Sequence, residues 1–186
     1  MNFLGVDYGT TSVKAVLFDE KLTEITSYTE EYTLNTKYMY DVLTKYGYIE
    51  DAWKLISKTS YPSLGFMLAN GATSIWERFE DKENSEMNSH DHPMYGAAGS
   101  WLYEGIAGIK KIDDGFSHFV IEPCFPENLR YAEAKVDTVK GDVYVYWTNK
   151  EGKQNLFVTV PFGCSATVKI NGQEKVCGSG NHIFKN

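Results

Sequence analysis

Apolar positions change their spacing several times along this chain, and each change predicts a different kind of element. Over the first 34 residues they come in short runs: Phe3-Leu4-Gly5-Val6, an alternating stretch over residues 12–18, and a β-branched and aromatic stretch over residues 25–34. Each predicts a strand. From residue 36 to 46 the spacing becomes helical, with Tyr38, Met39, Val42, Leu43 and Tyr46 recurring on one face and Gly47 placed to end the helix. Residues 49–57 predict a second helix through Ile49, Ala52, Trp53, Leu55 and Ile56, and the short join makes the two a helical hairpin. Residues 59–79 open as a turn, because Pro62, Gly65, Asn70 and Gly71 interrupt the apolar positions, and close in a helix predicted over residues 73–79. Polar residues 80–89 predict a loop. A further helix is predicted over residues 95–109, where Gly96, Ala97, Ala98 and Gly99 permit close helix approach and lower intrinsic helix stability.

From Ile112 onward the period is two, in short runs separated by turn signals. Strands are predicted over residues 119–121, 132–138, 142–147, 156–160, 166–170 and 182–184, the clearest being Val143-Tyr144-Val145-Tyr146-Trp147. Asn171-Gly172 is a strong hairpin signal, and residues 149–153 and 161–163 are looser turns. Regular short strands predict a small antiparallel sandwich. The expected fold is therefore α+β in three unequal pieces: a β-hairpin segment over residues 1–34, helices over 35–111, and an antiparallel β-sandwich over 112–186.

Composition narrows the functional classes. With 186 residues, 42% of them hydrophobic, the chain can bury one ordinary core or two small ones. A net charge of −7 argues against nucleic acid and anionic membrane surfaces, which call for clustered Lys and Arg. Cys124, Cys164 and Cys177 are odd in number and lack metal-ligand spacing, so they read as free thiols in a reducing cytoplasm. The opening apolar run stops at Asp7, far short of a signal-peptide core or a membrane span. No cofactor is implied.

Candidate chemistry centres on Trp76-Glu77-Arg78. An aromatic ring beside a carboxylate suits a sugar site, the ring stacking on a pyranose C–H face while the carboxylate handles a proton or a water. The ordinary alternative pairs Glu77 with Arg78 or Lys82 as surface helix charges. His90 and His92 flank Asp91 and suggest a metal pair, but no third or fourth ligand stands at convincing spacing. Trp53 and Trp101 lie on helical apolar faces and read as core.

The ordered blocks Tyr61-Pro62-Ser63, Gly71-Ala72-Thr73, Trp76-Glu77, Asn88 through Gly96, Trp101-Leu102-Tyr103 and Gly105 through Ile109 resemble the family 78 glycoside hydrolases, the α-L-rhamnosidases. The resemblance covers roughly residue 35 to the C-terminus. It implies that residues 35–111 are part of an (α/α)6 barrel and that residues 112–186 are the family's C-terminal β domain. It implies Glu77 as the general base, His92 with His90 as its alternative for sugar contact, Trp76 as a stacking ring and Tyr61 behind it. Leu64 stands where that family often has an aromatic residue. The general acid of these enzymes has no counterpart here, so the expectation is a truncated, rhamnosidase-like chain inactive alone. Its partner would be a rhamnose-containing carbohydrate bound weakly or not at all, and exposed barrel faces would favour self-association.

The first hairpin has a different resemblance. Asp7-Tyr8-Gly9-Thr10-Thr11 is similar to the first phosphate hairpin of FGGY-family sugar kinases, which implies Asp7 facing a metal and its water, and Gly9, Thr10 and Thr11 facing phosphates, as a vestige. A tight turn that simply uses Gly-Thr-Thr is the alternative. The switch between resemblances falls near residues 34 and 35, as in a fusion. Three functional classes follow: a rhamnoside hydrolase, a non-catalytic carbohydrate-binding remnant, and a sugar-kinase fragment.

Overall fold

The computed structural model describes residues 3–8, 12–21, 23–31, 36–79, 89–92 and 96–185. Three strands, β1 (Phe3–Tyr8), β2 (Ser12–Phe18) and β3 (Glu24–Glu31), form an antiparallel meander in chain order. The turn that would carry Gly9, Thr10 and Thr11 lies outside the described residues, while Asp7 sits on β1 opposite Lys14.

The helices follow the apolar spacing where glycines mark their ends. Helix α1 (Thr36–Lys45) stops at Gly47, whose φ of +84° is left-handed, and α2 (Ile49–Ser57) follows at once. Helix α3 (Leu64–Ala69) stands where a turn was expected. Its cap is Ser63, whose Oγ accepts from the Phe66 N–H at 3.0 Å, and Gly71 at φ +80° closes it.

The helix expected over residues 73–79 does not form: past Gly71 the backbone is irregular and spends its hydrogen bonds on residues 89–92 instead. The helix expected over 95–109 is also shorter. It consists of α4 (Ala97–Trp101) and a π-turn (Leu102–Ile106) closed by the Ala107 N–H on the Leu102 carbonyl at 2.9 Å. Gly108 then turns the chain at φ +77°, and a Cβ there would collide with the backbone of Glu122 and Pro123. Ile109 accordingly begins a strand rather than ending a helix.

Eight strands complete the chain: β4 (Ile109–Lys111), β5 (His118–Ile121), β6 (Tyr131–Thr138), β7 (Gly141–Lys150), β8 (Lys153–Val160), β9 (Ser165–Ile170), β10 (Gln173–Cys177) and β11 (Gly180–Lys185). They form two four-stranded sheets, β10-β9-β5-β4 and β11-β8-β7-β6. One departs from the antiparallel expectation: β5 pairs with β9 in parallel, because residues 122–164 cross from one sheet to the other and back between them. Alternate residues meet between the sheets, including Phe119, Ile121, Val143, Val145, Trp147, Leu156, Val158 and Val168, all buried. The hairpin at Asn171-Gly172 is as expected, with both φ positive; Glu151-Gly152 makes an equally tight turn where a looser one was read.

Trp147 ties the sandwich to the helices. Its ring is fully buried, meets Phe125 edge-on at 5.0 Å, and its Nε1 donates to the Ile106 carbonyl at 2.8 Å. On the helical side Trp101 does the same work, stacking on Tyr40 at 5.1 Å and donating to Thr44 Oγ1 at 2.8 Å. Both tryptophans are core, as the helical spacing suggested for Trp101, and Trp53 is half-buried against the same core. The helical pieces nevertheless leave Met39, Val42, Tyr46, Leu55, Leu68 and Leu102 exposed. No helix among the described residues is long and apolar enough to cross a membrane.

Candidate functional site

The site is built from two short segments that lie side by side. Residues 74–77 leave α3 past Gly71, and residues 89–92 return beside them. The His92 N–H donates to the Ile75 carbonyl at 2.8 Å and the Glu77 N–H to the Ser89 carbonyl at 3.0 Å. Ser74 Oγ also donates to the His90 carbonyl. β-Branched and aromatic residues at Thr73, Ile75 and Trp76 suit this extended pairing better than a helix.

This pairing gathers four sequence candidates. Trp76 and His90 face each other with ring centroids 5.9 Å apart and planes at 46°. Trp76 is only 3% exposed, so its ring packs in this arrangement rather than offering a free stacking face. His90 is exposed and His92 half-buried. Glu77 is half-buried, and its Oε2 is fully enclosed with no hydrogen-bond partner among the described residues. A buried carboxylate oxygen left unpaired is costly, so it calls for an acceptor role toward water or ligand. Among the described residues no group of three His, Cys, Asp or Glu could hold a metal.

The remaining candidates are placed differently. Tyr61 is 54% exposed beside α3, edge-on to Phe66 at 5.4 Å, and the Tyr61–Pro62 peptide is cis. Ser63 of the same block is the α3 cap, a structural role that the sequence signalled through a Ser before the apolar run Leu64, Met67, Leu68. Thr73, Ser74 and Ile75 line an apolar groove of about 470 Å³ with Trp53, Met67 and Leu102. Sequence reasoning also missed a cleft of about 630 Å³ between the helices and the sandwich, lined by Asp41, Lys45, Trp101, Glu104, Lys110 and Cys124 among others. Lys110 donates to Glu122 at 2.7 Å there, and burial pushes the Cys124 thiol up to about 11. That thiol stays protonated at neutral pH, which makes it a poor nucleophile. Glu77 lines neither cavity.

Comparison with known proteins gives this geometry a lineage. Residues 19–106 match the bacterial alpha-L-rhamnosidase 6 hairpin glycosidase domain, and residues 108–185 match the bacterial alpha-L-rhamnosidase C-terminal domain. The chain is related to the bacterial α-L-rhamnosidases. An α-L-rhamnosidase of Alteromonas sp. (strain LOR) is 37% identical over 139 residues, which are 72% of this chain and 15% of that protein. One from Formosa agariphila is 34% identical over 157 residues, 81% of this chain and 17% of its own length. The α-L-rhamnosidase structure from Dictyoglumus thermophilum superposes with a TM-score of 0.74 at 32% identity, over 83% of this chain and 21% of that one. The Streptomyces avermitilis enzyme, solved with L-rhamnose, gives a TM-score of 0.74 at 28% identity, over 84% and 18%. This rhamnosidase-related chain thus spans about a fifth or less of the length of these relatives. The six-hairpin match meets the C-terminal one at residues 106 to 108, where Gly108 turns the π-turn into β4.

Proposed function

We propose that residues 35–185 supply one side of an inverting, family 78-type α-L-rhamnosidase site, with Glu77 as its general base, and that the 186-residue chain is inactive alone. The observation that carries this reading is the Glu77 Oε2, enclosed and without a hydrogen-bond partner among the described residues. An inverting site needs such an acceptor to take a proton from water as that water attacks the anomeric carbon. A second carboxylic acid protonates the leaving oxygen, so one C–O bond forms as another breaks and both protons are accounted for. The two carboxyl groups stand roughly 6.5–9.5 Å apart to admit the water. In this reading the acid comes from a part of the catalytic domain that this chain does not contain, α1 and α2 form one hairpin of an (α/α)6 barrel, and a terminal rhamnose lies near His92, His90, Trp76 and Tyr61. The FGGY-like segment over residues 1–34, of which residues 19–34 also fall within the six-hairpin match, is proposed as a remnant with no kinase activity; Asp7 is its one candidate within a described strand.

Release of phenol from an aryl α-L-rhamnoside tests the proposal. The chain alone is expected at background. A graft that places residues 35–186 in the matching region of the Dictyoglumus thermophilum enzyme is expected to be active. Turnover by the chain alone, or a folded but silent graft, contradicts the reading.

A further inference from the structure

Register lays the outer face of the sheet β11-β8-β7-β6 out in rows. In the middle row Tyr146 of β7 stands between Glu133 of β6 and Phe157 of β8, and Phe157 stands beside Ile183 of β11. The chain neighbours of these residues in β7 and β8, Val145, Trp147, Leu156 and Val158, are buried in the sandwich, so the row faces outward. Ile183 is 64% exposed, Tyr146 is exposed, and Glu133 leans off the row to accept from the Tyr144 hydroxyl at 3.0 Å.

Charge is divided along the strands on either side of this row. Asp142 lies four residues before Tyr146 on β7, beside Asp137 of β6, and Lys135 bridges them at 3.1 and 2.8 Å, one cation for two carboxylates. Lys150 lies four residues after Tyr146, beside Lys153 of β8, and Lys185 of β11 belongs to the same end. These three lysines are exposed and make no ion pair among the described residues. The turn residues Lys140 and Glu151 soften the division without reversing it.

This spacing selects an occupant. Asp142 and Lys150 are equidistant from Tyr146, so a twofold axis laid along the middle row sets Lys150 of one copy on Asp142 of another, and the reverse. The same rotation sets Tyr131, 60% exposed on β6, on Lys135 of the second copy, a ring against an ammonium. Asn155 then meets Thr159, and Tyr146, Phe157 and Ile183 meet their own copies. A neutral partner would leave the lysines uncompensated, and an acidic one would meet Asp137 and Asp142.

We propose that this face is the interface of a homodimer, two copies packed sheet on sheet with their strands running in opposite directions across the axis. The face measures roughly 500 Å² per copy, from four strand spacings and the eight-residue rise between Asp142 and Lys150, which is small for a specific interface and sets the expected Kd in the micromolar range. The dimer uses neither Glu77 nor the exposed helix faces, so it stands apart from the hydrolase reading. Sedimentation velocity of the whole chain from roughly 5 to 200 µM is the test, with a monomer–dimer equilibrium expected. Lys150→Glu with Lys153→Glu, and separately Asp142→Lys, should each weaken the dimer about tenfold or more, because each sets like charges against one another. An equimolar mixture of the two variants should recover the parent's dimer, since the reversed charges again face opposite ones. Unchanged circular dichroism would show that both variants fold. A chain that stays monomeric over this range, variants that associate as the parent does, or a mixture no tighter than either variant alone would overturn the proposal.

Discussion

Glu77→Gln in the active graft lowers kcat by about 10²–10⁴-fold and leaves KM nearly unchanged, which is the scale of a lost general base. Glutamine keeps the shape of the side chain but cannot take a proton from water. The alternative carboxylates are Glu86 and Glu104. Glu86 lies outside the described residues, and Glu104 lines the cleft between helices and sandwich, to which Glu77 does not contribute. Glu104→Gln in the same graft is therefore expected to change kcat by much less. If the two substitutions cost the same, or Glu104→Gln costs more, the base has been assigned to the wrong carboxylate.

The largest structural loss is expected from Trp147→Ala. The side chain is fully buried between the two sheets, and its Nε1 satisfies the Ile106 carbonyl at the end of the π-turn. Truncating a buried tryptophan costs roughly 3–5 kcal/mol through lost transfer energy and the cavity left behind. Small domains hold only about 5–15 kcal/mol in total, so the loss is a large share of what keeps the sandwich folded. It also loosens the join between sandwich and helices. Urea unfolding followed by circular dichroism checks this; a destabilisation under about 1 kcal/mol would mean that the indole is not the keystone its burial indicates.

Much of the architecture was legible because its signals are local. The helical spacing over Tyr38, Met39, Val42 and Leu43 with Gly47 behind it marked α1, and the alternation Val143 through Trp147 marked β7. The misses share a cause: the deciding interactions are distant in sequence. Over residues 73–79 the local preference of Thr73, Ile75 and Trp76 for extended backbone is weak evidence by itself, and the outcome is set by the partners that Glu77 and Ile75 find at Ser89 and His92. Strand β4 exists because Ile109 pairs with Ile121 after Gly108 reverses the chain, and the parallel β5–β9 pair is a matter of topology that no local pattern encodes. Strand β10, Gln173 through Cys177, is an exposed polar edge with no alternation to read.

The site shows the same division. Neighbouring residue types singled out Trp76 and Glu77 as candidates, and loop pairing put His90 beside Trp76. Tyr61 is an exposed residue edge-on to Phe66 of α3, and Ser63 proved to be that helix's cap. The burial of Trp76 could not be read from the sequence, since a tryptophan beside a carboxylate looks the same whether its ring is open or packed. The enclosed Oε2 of Glu77 was equally invisible, because it depends on what surrounds the side chain in space.

The central claim is that Glu77 activates a water on the face opposite the leaving group. Its most direct test is the stereochemical course of the graft, followed by proton NMR of the anomeric signal in the first seconds of hydrolysis. Attack by water in one displacement predicts that the first rhamnose released is β, inverted from the α-linked substrate. First release of the α anomer would mean a covalent glycosyl intermediate with a carboxylate as nucleophile, and would contradict the role given to Glu77.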